Sequence, residues 1–438
     1  MPRSRSSTAF SALHRKIRER RAVVGVVGLG YVGLPHARLF ASKGFPVVGL
    51  DVDAAKVRAL NAGRSYIGSV PSEEIRSWRR FRATTRPADL RGCDAIILCV
   101  PTPLHEDGQP DLSFVRDTAR AVGRTLRRGV LVVLESTTYP GTTREVVKPE
   151  LERRGLKCGR DFLLAYSPER EDPGNPSFHG ANIPKVVGGY DRESLRAAAT
   201  LYGEAVERVV QVSTLEVAEA EKLLENIYRC VNIALVNELK MCFQKMGIDV
   251  WEVIEAAATK PFGFHKFTPG PGMGGHCIPI DPFYLTWRAR EFGFETRFIN
   301  LAGEINTQMP YYVVGRLESA LKRPLAGAHV LVLGLAYKKD IDDPRESPAW
   351  KVLDLLSRKG AKVVYNDPHI PALPRTRHWP HLDVKHVRLT ADALRAQDAV
   401  VLLADHAAYD ANFIAKHSKL VVDTRNMFAG IKGRIVKS

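Results

Sequence analysis

Residues 274–285 read GGHCIPIDPFYL, so Cys277 follows Gly-Gly-His and precedes Asp281 by four positions. A structural cysteine packs as a small hydrophobe inside an apolar segment. This one lies in a Gly/Pro-rich loop too polar and too bent for a core strand. Gly274 and Gly275 leave the backbone open beside it, and a carboxylate is near. The setting suits a nucleophile, a thiolate that attacks a carbonyl carbon and then holds the acyl group as a thioester.

An oxidation at such a carbonyl needs a hydride acceptor, and residues 21–53 are built to hold one. The apolar run Val23–Val27 leads into Gly28-x-Gly30-x-x-Gly33, then the helix-forming HARLFASKG, then a second apolar run, PVVGL, ending at Asp51. Strand, glycine turn, helix, strand and acid form the full context of a dinucleotide fingerprint. Gly28 permits the turn, Gly30 lets the pyrophosphate approach the backbone, and Gly33 lets helix pack on strand. Asp51 is placed to accept hydrogen bonds from ribose hydroxyls and would repel a 2′-phosphate. That selects NAD over NADP, a preference the nearby Lys56 and Arg58 weaken without reversing.

Ser136-Thr137-Thr138 and Ser167-Pro168-Glu169-Arg170 each follow an apolar run, where an open α/β sheet presents ligand contacts. Ordinary turn chemistry is the alternative. Lys222 and Asn226 are four apart and would share one face of a helix. A solvated surface is one reading of that pair. A lysine beside the buried seam of Leu223, Leu224, Ile227 and Tyr228, able to stabilise an oxyanion, is the other.

These residues need a scaffold that repeats strand, turn and helix. Apolar runs at 93–103 and 129–143 continue a parallel sheet. From Ser213 to Gly247 the pattern becomes one amphipathic helix, ~50 Å long at the standard rise and suited to join domains and form a dimer contact. Helical stretches follow at 249–259 and 281–323. After Pro324 the strand–helix alternation returns. The expected fold is α/β: two Rossmann-like domains with parallel sheets, joined by a long central helix in an α-helical dimerisation region. Its parts are a flexible basic arm (1–21), a NAD-binding domain (22–212), a central region (213–323) and a C-terminal domain (324–438).

Composition narrows the class. The 438 residues are 45% hydrophobic and 26% charged, as in ordinary globular chains. No stretch approaches the length of apolar residues that spans a membrane. Six scattered cysteines without a CxxC pair argue against disulfides or structural zinc and for a reducing compartment; no metal site is expected. The net charge is +16, and the first 21 residues hold seven Lys/Arg against one Glu. They read as a solvated, frayed terminus, with a polyanion-binding arm or an Arg/Ser-rich transit peptide as alternatives. No nucleic-acid-binding motif accompanies the charge.

Together, GLGYVGLP, DVD, VPTP, STTYPGTT, SPER, the Lys222/Asn226 helix, GPGMGGHCIPIDPFYL and YKKDIDDPRES resemble the nucleotide-sugar dehydrogenases over residues 22–435. The family includes UDP-glucose 6-dehydrogenase and its N-acetylhexosamine relatives. The resemblance implies oxidation of a UDP-hexose 6-hydroxyl to the carboxylate with two NAD and no metal. It makes Cys277 the nucleophile and Lys222 the oxyanion stabiliser, with Asn226, Asp281, Glu169 and Thr137 at the same centre. Gly28, Gly30, Tyr31, Val32, Gly33, Asp51, Lys56, Pro101, Thr102, Ser136, Thr137 and Arg345 would hold NAD. Glu169, Arg170, Lys222, Asn226, Phe267, Gly270, Gly274, Tyr337, Lys338 and Arg425 would hold the UDP-sugar. SPER and ATKPFGFHKFTPGPGMGGHC point to the UDP-N-acetylglucosamine branch, with UDP-N-acetylmannosamine and UDP-glucose as alternatives. The resemblance also implies a homodimer or larger homo-oligomer in the cytoplasm, serving polysaccharide synthesis. His36 departs from the pattern, where a small apolar residue is usual, and raises a question about helix packing.

Overall fold

The computed structural model of the chain describes residues 5–68, 70–105, 108–172, 177–275, 278–376 and 378–438. It divides into two compact units, residues 1–225 with 287–293, and residues 226–286 with 294–438.

In the first unit, eight strands form one sheet: β1 (Val24–Val27), β2 (Val47–Leu50), β3 (Phe81–Thr84), β4 (Ala95–Leu98), β5 (Leu131–Leu134), β6 (Leu163–Tyr166), β7 (Lys185–Gly189) and β8 (Val209–Val212). Their order is β3-β2-β1-β4-β5-β6-β7-β8. The first six repeat the doubly wound dinucleotide-binding order. One pair departs from the parallel pattern: β6 and β7 run antiparallel. β1, β4 and β5 are buried throughout, which explains why they read as continuous apolar runs instead of alternating ones.

The N-terminal residues correct the expectation of a flexible arm. Arg5–Arg18 is a helix, and its Phe10, Leu13 and Ile17 lie in the same core as Val24 and Phe40. Spacings of three and four place those side chains on one stripe. Two ion pairs pin the helix, Lys16 to Asp94 and His14 to Glu193, each at 2.8 Å.

The second unit carries a six-stranded, fully parallel sheet of β9 (His329–Leu333), β10 (Lys362–Asn366), β11 (Lys385–His386), β12 (Ala399–Leu402), β13 (Val421–Asp423) and β14 (Ile435–Lys437). Its order, β11-β10-β9-β12-β13-β14, repeats the winding of the first. Val330 and Val332 pack with Trp350, Leu353 and Leu356 on one face, while Leu331 and Leu333 pack with Tyr409 and Ile414 on the other.

The long helix runs from Leu215 to Lys245. The helical stretch expected over 281–323 is two helices, Asp281–Glu291 and Arg297–Leu321. They are interrupted where Gly293 takes a φ of +70° that a helix cannot accommodate. Among the described residues no helix is long and apolar enough to cross a membrane.

Candidate functional site

The chain leaves β1 at Gly28, whose φ is +85°. A Cβ there would lie 2.3 Å from the Cys99 carbonyl oxygen, and one on Gly33 would lie 1.7 Å from that of Gly28. Neither position accepts a side chain. Around Gly30 nothing lies within 4 Å of a Cβ position, so glycine there leaves the backbone open to a ligand. Exposed Tyr31 and half-buried Val32 lead into helix Gly33–Ser42, whose N-terminus favours an anion. The sheet order reverses between β1 and β4 at this point, which is where ligands lie in such folds.

Asp51 ends β2 and is fixed by two backbone donors, Leu29 N at 2.8 Å and Asp53 N at 2.9 Å. Lys56 Nζ is 3.8 Å from its carboxylate. On the other side of the turn, Ser136 Oγ accepts from Val100 N at 3.0 Å, and Thr102 Oγ1 donates to the Thr137 carbonyl at 2.8 Å. These bonds tie the ends of β4 and β5 together and bring exposed Pro101, half-buried Thr102 and Thr137, and buried Ser136 to one edge. The steric demands at Gly28 and Gly33 and the fixed carboxylate at Asp51 fit a dinucleotide.

Glu169 follows β6. Its Oε1 accepts from the Arg170 and Glu171 backbone N–H groups at 2.7 and 2.6 Å. Arg170 donates to Glu225 at 2.5 Å and to the Pro184 carbonyl at 2.6 Å, which anchors the loop to the long helix. Lys222, on that helix, is 5% exposed, so the solvated-surface reading of this lysine does not hold.

In the second unit Asn226 donates to Asp281 Oδ2 at 2.5 Å, and Arg229 donates to the Asn226 carbonyl oxygen. Both Asn226 and Asp281 are buried, at 0% and 3% exposure. The pair expected to support one centre is therefore in contact. Cys277 lies outside the described residues, as does His276. The glycines before them are tightly enclosed: a Cβ on Gly274 would lie 2.5 Å from Tyr337 Cβ, and one on Gly270 would lie 2.7 Å from Arg425 Nη1. Gly270 N also donates to Asn237 at 2.9 Å. Phe267 packs edge-on against Tyr228, ring centroids 5.6 Å apart. Half-buried Lys338 follows Tyr337. Arg345 is held by Asp343 through bonds of 2.6 and 2.8 Å.

Three features were not read from the sequence. His36 does not loosen its helix: it is buried, its Nδ1 is 2.9 Å from the Val32 carbonyl, and its Nε2 faces Glu135 at 2.5 Å and Glu169 at 3.2 Å. Lys185 completes this cluster, 2.8 Å from Glu135. Burial would raise the Glu135 carboxyl, yet His36 and Lys185 hold it down at about 2. Glu219 accepts from Gly141 N at 2.6 Å and Thr143 N at 2.9 Å, and burial pushes its carboxyl up to about 7. Lys240, one turn beyond Asn237, is buried with no hydrogen-bond partner among the described residues. A charged residue among the apolar positions of a strand or helix is the sequence signal that could have flagged Lys185 and Lys240.

With that geometry in hand, the class follows. The models of the UDP-glucose/GDP-mannose dehydrogenase family match in order: the NAD binding domain at 22–206, the central domain at 216–308 and the UDP binding domain at 331–430. The chain belongs to this family of nucleotide-sugar dehydrogenases, and its cofactor is NAD. It is 36% identical to a UDP-N-acetyl-D-mannosamine dehydrogenase of Pyrococcus horikoshii, over 92% of this chain and 95% of the relative. It is 39% identical to a UDP-N-acetyl-D-glucosamine 6-dehydrogenase of Pseudomonas aeruginosa, over 80% and 83%. The solved structure of the Pyrococcus horikoshii enzyme superposes with a TM-score of 0.84 at 34% identity, covering 94% of this chain and 99% of that one.

Proposed function

We propose that the chain oxidises the 6-hydroxyl of a UDP-N-acetylhexosamine to the carboxylate, with UDP-N-acetylglucosamine as the preferred substrate. The observation that carries the reading is the buried Asn226–Asp281 pair, Asp281 standing four residues after Cys277 in the chain. A buried carboxylate held by an amide can share the proton that an alcohol loses as it is oxidised. UDP-N-acetylmannosamine and UDP-glucose stay as alternatives, since relatives at 36% and 39% identity carry different N-acetylhexosamine names. Small loop changes suffice to switch between epimers.

NAD would supply the hydride acceptor at C6, one molecule for each of the two two-electron oxidations. The chain does the rest. Lys222, with Asp281 and a water, takes the hydroxyl proton and stabilises the developing oxyanion. The Cys277 thiolate adds to the aldehyde carbon, so the aldehyde is never released. Loss of the second hydride converts that adduct to a thioester. Water, positioned by Glu169 and Thr137, then displaces the thiol and leaves the acid. Each UDP-sugar thus consumes two NAD and one water.

A second copy fits the outer face of the long helix. Val217, Leu224, Tyr228 and Leu235 are 44–67% exposed, and spacings of seven, four and seven put them on one stripe, as a helix-mediated homodimer requires. A cytoplasmic setting in polysaccharide precursor synthesis accompanies this reading.

The test is NADH formed per UDP-sugar consumed, with the three sugars run separately. Two NADH per sugar, fastest with UDP-N-acetylglucosamine, is the expected result. One NADH with free aldehyde accumulating would remove Cys277 from its role, and turnover of UDP-glucose alone would overturn the substrate assignment.

A further inference from the structure

Lys240 is 4% exposed, and its ammonium has no hydrogen-bond partner among the described residues. A buried charge without a partner is costly, and chains retain one where something compensates it. The surroundings do not. From helix Arg297–Leu321 come Arg316, another cation, and Tyr312, whose ring centroid is 5.9 Å from Nζ. From the end of β13 come Arg425 and Asp423. Asp423 already accepts from the backbone N–H groups of Arg425 and Phe428, each at 2.9 Å. Asp405 acts on Arg425, and its own ion pair is with Lys339 at 4.0 Å. Burial first, then Arg425 and Arg316, push the Lys240 ammonium down to about 7, against Asp423.

The segment at Gly270 is held against these cations. Asn237, three residues before Lys240, fixes Gly270 through a 2.9 Å bond. Arg425 sits where a Cβ on Gly270 would have to be. Arg425 spends its Nε on the Leu403 carbonyl at 2.9 Å and keeps its terminal nitrogens on the Gly270 side. Arg425 also falls within the UDP binding domain match, residues 331–430.

We propose that Lys240 is an anion contact of the nucleotide site, meeting the diphosphate of a UDP-sugar beside Arg425. The inference rests on the UDP-sugar reading above. In the free chain at pH 8 the amine is largely neutral. The bound diphosphate favours the ammonium, so binding and protonation are linked. At pH 6 the amine is already charged and the linkage vanishes.

Isothermal titration of the full chain with UDP-N-acetylglucosamine or UDP-glucose, without NAD, tests this in two buffers of different ionisation heat. Neither ligand has a group titrating near neutrality, so the buffer dependence reports on the protein. The expected result at pH 8 is uptake approaching one proton per nucleotide in the parent chain, none at pH 6, and none at either pH in Lys240→Met. That variant should also bind roughly tenfold or more weakly at pH 6, the loss expected when a charged contact is removed. The parent measurement needs no variant to fold. Binding without proton uptake in the parent, or unchanged uptake in Lys240→Met, overturns the role of Lys240 and leaves the UDP-sugar reading intact. No binding of either nucleotide overturns both.

Discussion

The molecule buries charge in two ways. In the first unit His36, Glu135, Glu169 and Lys185 answer one another: Glu135 meets His36 at 2.5 Å and Lys185 at 2.8 Å, and Glu169 meets them at 3.2 and 3.8 Å. Against burial, the carboxylates raise the His36 imidazole while His36 and Lys185 lower Glu135, and Tyr202 adds a hydrogen bond to Glu135. In the second unit Lys240 has no such partner among the described residues. A closed set fixes geometry and asks for nothing more, here joining the helix after the glycine turn to the loop that carries Glu169. An open set is costly until something binds. The first arrangement holds Glu169 in place, and the second leaves an amine for a ligand to answer.

The largest effects should come from breaking the closed set. Glu135→Gln or Lys185→Met strands a buried charge, a loss of about 3–5 kcal/mol. Urea unfolding at pH 7 is expected to show that loss with the slope unchanged. A loss below about 1 kcal/mol would mean that water reaches the cluster and that it is not the anchor described here.

Lys240→Met should act in the opposite direction and stabilise the free chain. The folded-state ammonium is depressed to about 7, while the unfolded chain keeps an ordinary lysine. The cost is therefore greatest below pH 7, where the folded chain must bury the charge. It declines between about pH 7 and 10, where the unfolded state binds the extra proton. The gain from Lys240→Met should be about 2–3 kcal/mol larger at pH 6 than at pH 9. A gain independent of pH would show that the amine is charged throughout, and would erase the contrast between the two regions.

The same contrast explains what could be read from the sequence. Gly28, Gly33 and Asp51 were legible because local sterics and one strand–turn–helix unit define them. The winding of both sheets was legible because buried strands are apolar throughout. The antiparallel β6–β7 pair was not, since strand direction is set by the loop between them. The N-terminal helix was missed because seven basic residues outweigh three well-spaced hydrophobes, Phe10, Leu13 and Ile17. The closed cluster was missed for another reason. Its members are 36, 135, 169 and 185 in the chain, and only the adjacency of β5, β6 and β7 brings their ends together. Lys185 opens an otherwise apolar strand, a signal that marks it as unusual but does not name its partners.

The smallest effect sought is at His36, and it tests whether the closed set is closed by charge. Burial would lower the imidazole, but Glu135 and Glu169 outweigh burial and Lys185, so the net direction is upward. Its Nδ1 lies against the Val32 carbonyl, so Nδ1 carries a proton in either charge state, and the titrating proton is the one on Nε2 between the carboxylates. A raised folded-state value gives stability that is complete below the unfolded pKa and is lost as pH rises through the folded one. His36→Leu removes that contribution, so it should destabilise the chain at pH 6. The deficit should shrink by pH 9, as read from paired urea titrations. Equal destabilisation at both pH values would make His36 a packing residue only. The cluster would then carry a net negative charge, and Lys185 alone would hold both carboxylates.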